Sequence, residues 1–382
     1  MKLRKTISHF PFFLFLLLVN GCLDPYAPPA TTSSKIYLVV DGFLNAGDSS
    51  CTITLTRSQA LSVMGAPTSV TGANVVVEDS DGGSTSLSSQ GNGVYSNARV
   101  PLNLSKTYRV RIIDNGSTYY SDFVPINQSP PIDSVSWSLA YHGAGDPSVG
   151  ISVSTHGNAN QSQYYLWKFQ ETWQYSAKYS SDLRFQNGKV SISLDTVFYC
   201  WQTLNSSSIL ISSTTELTKN RVSQFPITAT GRNDIKFKEA YSILVSQLSL
   251  TQDAFEYYQQ LKANTENLGT IFGPQPSLLR GNFHSVTTPS EPVFGYFMAT
   301  TVSQKRIFVL PDQLPSLVNP VVTGYETCRL DTLKIKDVPT YAGNKVFVTS
   351  YGYVLEGYLI TTIDCVDCRL NGGTNHKPSY WF

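Results

Sequence analysis

The sequence predicts a mainly β protein in two domains. An N-terminal immunoglobulin- or fibronectin-like sandwich over residues 35–125 is followed by a larger β-rich domain with one clear helix over residues 131–382. Three observations carry this expectation. Apolar and polar residues alternate with period two in many short segments, and Gly, Asn and Asp punctuate them. Charged residues make up only 14% of the chain, a low share that suits an exported β protein rich in Ser, Thr and Tyr. Pro125–Ile132 holds three prolines in eight residues, a natural boundary between units.

Taken in order, the chain begins with basic Met1–Lys5 and an apolar run of ten residues, Phe10–Val19. That run is too short to cross a bilayer and has the order of a secretory signal, expected over residues 1–21. Val19-Asn20-Gly21-Cys22 then forms a lipobox, so cleavage before Cys22 and acylation of that residue are expected. Residues 22–34, rich in proline and small polar side chains, read as an extended leash on this lipid anchor.

Strand patterns follow at Ile36–Asp41, Cys51–Thr56, Ala73–Asp79, Thr107–Ile113 and Ser117–Phe123. Several short strands within about ninety residues point to a sandwich, and Tyr108 stands where a tyrosine corner would cap backbone. Beyond the boundary, Tyr165, Trp167, Phe169 and Trp173 share one parity. The stripe fits the packed side of a central strand better than a sugar-binding face. Ser249-Leu-Thr-Gln252 offers a capping box for a helix carrying Phe255, Tyr258 and Leu261. Strands resume at Val293–Ala299, Arg306–Leu310, Val346–Val348 and Tyr353–Ile363.

Catalytic signatures are not found, and no enzyme activity is expected. A Gly-x-Ser-x-Gly elbow is missing, and His142, His156, His284 and His376 stand apart rather than in zinc-binding pairs. Asp79 and Asp81 lack the other ligands of a calcium loop and read as a hairpin tip. A glycosidase whose two carboxylates come from distant parts of the chain is a third alternative. Net charge is +1 with scattered Lys and Arg, which argues against a nucleic-acid partner. Asp133-Ser134-Val135, Asp195-Thr196-Val197 and Asp331-Thr332-Leu333 offer Ser134, Thr196 and Thr332 as weak candidates for O-glycosylation.

The end of the chain reads Cys365-Val-Asp-Cys368-Arg-Leu-Asn-Gly-Gly-Thr-Asn-His-Lys-Pro-Ser-Tyr-Trp-Phe382. Cys200, Cys328, Cys365 and Cys368 are expected to form disulfides in an oxidising compartment, with three connectivities open. A zinc site or a redox centre fits less well, because no helix pattern follows the Cys-x-x-Cys. No metal and no cofactor are expected. Arg369, Tyr380, Trp381 and Phe382 are the candidate tail or partner contacts, with Gly372-Gly373 turning the tail and the aromatic end plugging an apolar surface.

This tail resembles the ending of a Bacteroidota family of outer-membrane lipoproteins known as domain of unknown function 4249. Phe198-Tyr-Cys200-Trp201, Ile271–Pro276 with Gly281-Asn282, and Gly295-Tyr-Phe297 with Arg306 are also similar to that family, as are Val39–Gly42 and Leu55–Arg57. Cys51 lies outside the pattern and is the odd thiol. The resemblance implies an outer-membrane lipoprotein, anchored by lipid, with the cell surface favoured over the periplasmic face. It implies a TonB-dependent barrel receptor as partner and no catalytic residue. The resulting expectation is a non-enzymatic accessory subunit that helps to capture or hand over a ligand. An independent lipoprotein binding glycan or peptide is the alternative.

Overall fold

The computed structural model describes residues 36–59, 63–140, 147–158, 161–193, 197–266, 279 and 281–382. The signal segment, Cys22 and the leash lie outside the described residues, as do His142, Thr196 and Ile271–Pro276. The chain is mainly β, as the period-two segments require.

In the first unit, Thr107–Asp114 alternates strictly, with Tyr108, Val110, Ile112 and Asp114 turned inward. Ser50–Arg57 does the same with Cys51, Ile53 and Leu55. These faces meet in one apolar core. The two sheets of the expected sandwich are joined along both edges. Ser84–Gly91 pairs with Asn74–Asp79 on one side and with Val94–Asn97 on the other. Val124–Asn127 likewise bridges Thr107–Asp114 and Met298–Thr300. Met298–Thr300 then runs parallel to Leu38–Asn45, and the strands close into a barrel-like ring.

That closing strand comes from the part of the chain assigned by sequence to the second domain. Phe283–Ser285 pairs with Ser117–Ser121, and Phe294–Gly295 pairs with Leu38–Asn45, so residues 283–300 complete the first unit. Phe283, Val293, Phe297 and Ala299 enter its core. The chain therefore leaves the first unit after Asn127, is back in it by Phe283 and leaves it again after Thr300. Gly295 permits the close approach: its φ is +126°, and a Cβ there would lie 2.0 Å from the Val40 carbonyl oxygen.

The second unit is a sandwich of a three-stranded and a larger sheet. Ile132–Ala140, Ser148–His156 and Arg221–Gly231 form the first. Tyr199–Asn205, Tyr164–Ser176, Ala240–Leu250 and Val302–Val309 form the second in that order, with Leu210–Ser213 beside Tyr164–Trp167. The aromatic stripe lies in the core: Tyr165, Trp167 and Trp173 are buried against Val149, Ile151 and Val153. The helix spans Gln252–Glu266. Its cap is Thr251, whose Oγ1 accepts from the Ala254 backbone at 3.1 Å. Ser249, the expected cap, belongs instead to the preceding strand. Phe255 and Tyr258 pack with Leu166, Leu248, Phe43 and Met298, so the helix helps join the two units.

A third, smaller assembly pairs the hairpin Leu183–Gln186/Lys189–Ile192 with the sheet of Asp331–Lys334, Gly357–Thr361 and Val346–Tyr351. Phe185 stacks on Phe347 at 4.9 Å, and Val338 and Ile360 complete this core.

Candidate functional site

Two disulfides tie the end of the chain to the rest. Cys200 pairs with Cys368 and Cys328 with Cys365, each with a Cα–Cα distance of 5.7 Å. The vicinal Cys-x-x-Cys therefore does not close on itself, and each sulfur reaches a different segment. Cys51 is a buried free thiol on the core face of its strand, and burial pushes its pKa up to about 12. A thiol buried in this way is structural rather than reactive.

Around the knot several polar groups are matched, although the buried Trp201 Nε1 has no hydrogen-bond partner among the described residues. The Tyr175 hydroxyl donates to the Cys368 carbonyl at 2.8 Å, and the Asn371 amide donates to the Tyr325 hydroxyl at 2.6 Å. Buried Asp367 accepts two bonds from the Arg369 guanidinium, at 2.9 and 2.7 Å. Those bonds to Arg369 hold its carboxyl below the usual range despite burial. Gly372, at φ +89°, ends the short helical turn Cys368–Asn371. Gly373 follows where a Cβ would lie 2.5 Å from the Tyr175 hydroxyl and 2.9 Å from the Trp201 carbonyl oxygen.

From there the tail crosses the outer face of the larger sheet. Thr374 and Trp201 exchange backbone hydrogen bonds of 2.8 and 3.0 Å. Arg306 lies over the Tyr380 ring at 3.6 Å, and the Tyr380 hydroxyl meets Thr172 Oγ1 at 2.9 Å. Trp381 packs edge-on against Trp201 and Phe308, and its Nε1 donates to Gln174 Oε1 at 3.3 Å. Of the three terminal aromatics only Trp381 is buried, at 6% exposure; Phe382 stays 67% exposed although its ring touches Phe308. The plug expected from all three rings is thus one indole with two flanking rings.

Beside the knot opens a cleft of about 910 Å³, walled by the hairpin, the small sheet and the tail. Its lining is mostly polar: Ser181, Arg184, Asn344, Lys345, Arg369 and His376 surround the part-buried Phe185. Such a lining would suit a polar ligand held by hydrogen bonds and charge. A second cleft of about 340 Å³ gathers Asp122, Asp253 and Glu256 with Tyr257 and Tyr296. All three carboxylates are exposed.

One arrangement escaped the sequence reading. Glu171 shares the parity of the buried aromatic stripe and is itself buried. Its oxygens accept from Lys236 Nζ at 2.9 Å and from the Tyr241 hydroxyl at 2.7 Å. Burial, with Glu171 alongside, drives the Tyr241 phenol far upward. The group ties the turn Ile235–Phe237 to the sheet. A carboxylate on an otherwise aromatic face was the available signal.

Tyr108 forms the expected corner, its hydroxyl accepting from the Asn103 backbone at 2.6 Å. Lys106 bridges Asp79 and Asp81 at 3.1 and 3.0 Å at a hairpin tip. Ser134 and Thr332 are exposed on strands. Cys328, Cys365 and Asp364 lie together, but both sulfurs are committed to the disulfide.

The sequence profile of the family described as Domain of unknown function (DUF4249) matches residues 24–306, close to three-quarters of the chain. The chain belongs to the DUF4249 family. The DUF4249 match takes in both large units, including the strands that return to close the first ring. It ends before Cys328, so the second disulfide, the small sheet and the tail lie beyond the matched segment. No curated protein matches the chain.

Proposed function

We propose that this DUF4249 protein is a lipid-anchored, non-enzymatic subunit of a TonB-dependent transporter complex at the outer membrane, where it captures a ligand and hands it to the barrel. The observation that carries the capture role is the cleft of about 910 Å³ beside two disulfides. A rigid wall of this kind holds recognition groups in place before the ligand arrives, which lowers the ordering cost of binding. Two disulfides also suit an oxidising compartment, in keeping with the lipobox and leash. The resemblance noted from the sequence supplies the barrel as partner.

Affinity purification of the full chain, with its anchor intact, from outer membranes in mild detergent tests the reading. A co-purifying TonB-dependent barrel is the expected result. Recovery of the protein alone, under conditions that keep other barrel complexes together, would refute it.

A further inference from the structure

The strands Val346–Tyr351 and Gly357–Thr361 are joined by a turn whose residues contradict ordinary turn chemistry. Gly352, at φ +98°, is the expected kind of residue, and the Glu356 backbone closes the turn by donating to the Tyr351 carbonyl at 3.1 Å. Between them stand Tyr353, Val354 and Leu355, exposed by 107%, 76% and 47%. Ile335, exposed and joined through its backbone to the Glu356 carbonyl at 2.8 Å, extends the same apolar tip. The core of the small sheet is built from Phe347, Ile360 and Val338, so these side chains contribute nothing to it.

We propose that the Tyr353–Leu355 tip inserts into the lipid interface of the membrane to which the chain is tethered. The inference rests on the lipid-anchor reading above. Fourteen residue steps lead from Cys22 to Ile36. At about 3.3 Å per residue they reach roughly 46 Å at most, comparable to the diameter of a body of this size. The tether therefore keeps the surface of the folded part, the tip included, within reach of the bilayer. A tyrosine beside two aliphatic residues matches that boundary, since its ring is apolar and its hydroxyl remains hydrated. Lys334 and Lys336 are balanced by Asp337 and Glu356 around the tip. Insertion is consequently apolar, independent of anionic lipid and insensitive to salt.

The test uses the full lipidated chain carrying Val354→Cys or, as control, the exposed Leu104→Cys, each labelled with an environment-sensitive fluorophore. The proteins are reconstituted into phosphatidylcholine vesicles that contain a nitroxide-labelled lipid. The probe at 354 is expected to shift to the blue and to be quenched several-fold more than the probe at 104, with no change at high salt. Equal quenching at the two positions overturns the proposal. So does a probe at 354 that is shielded from aqueous iodide yet untouched by nitroxide lipid, because protein then covers the tip. Acylation of Cys22 is read separately by mass spectrometry. Loss of acylation with the tip still quenched would remove the anchor reading and leave the insertion standing. Intact acylation with an unquenched tip would do the reverse.

Discussion

Replacing Trp381 with alanine isolates the contribution of the tail to the fold. The indole is 6% exposed, packs on Phe308 at 5.2 Å and on Trp201 at 6.3 Å, and donates one long hydrogen bond to Gln174. Removal of a buried Trp typically costs about 3–5 kcal/mol, and the lower end applies here because the tail covers only an outer sheet face. Roughly 3 kcal/mol corresponds to a shift of about a hundredfold in the equilibrium between docked and released tail. Cys368 still anchors the segment, so the loss is local. Amide hydrogen exchange followed by mass spectrometry reads it directly. Peptides covering Thr374–Phe382 and Trp201 should exchange about a hundredfold faster, while those covering Ala240–Leu250 stay protected. Unchanged exchange at Thr374 in the Trp381→Ala variant would refute the claim that the indole holds the tail down.

Other consequences are open to measurement. Paired serine substitution of Cys200 and Cys368 opens a loop of 168 residues, and that of Cys328 and Cys365 one of 37. Chain-entropy arguments give losses of about 5 and about 4 kcal/mol, so the first pair should lower the urea midpoint more. Non-reduced native protein should take up no alkylating reagent at Cys51, whereas the same protein in denaturant should take up one label at that residue, as read by mass spectrometry. Asp367 has a lowered folded-state pKa. Its contribution is fully present above its unfolded value of about 3.9 and is lost as pH falls through the lower folded value. Asp367→Asn should therefore weaken the protein at neutral pH and narrow its gap to wild type in acid, by urea titration at each pH. Tyr108→Phe should cost about 1 kcal/mol through loss of its bond to Asn103, measured by thermal unfolding.

Much of this architecture is legible in the residues, and the exceptions have physical causes. Thr107–Asp114 alternates through its whole length because one face meets the core and the other meets water, so its pattern declares both strand and orientation. Met298–Thr300 closes the first ring yet is buried at all three positions, and a short strand with no exposed face has no period to read. The crossing of the domain boundary was hidden for that reason. Ser249 and Thr251 both carry capping hydroxyls, and only the run of the preceding strand decides which begins the helix. The disulfide partners are separated by long stretches of chain, so spacing alone could not select among three connectivities. Glu171 was legible in principle, since a carboxylate on a buried aromatic face requires partners, but those partners lie about seventy residues away in Lys236 and Tyr241. The cleft beside the knot is assembled from three separate segments and leaves no local motif.

The proposed hand-over requires the cleft beside the disulfide knot to open toward a transporter barrel. A photo-activated cross-linking residue at exposed Asn344, on the rim of that cleft, tests this most directly in intact cells. The account predicts a covalent adduct containing a TonB-dependent barrel, identified by mass spectrometry. Irradiation that yields only uncross-linked protein, while the same residue placed in a known barrel partner gives adducts, would contradict it.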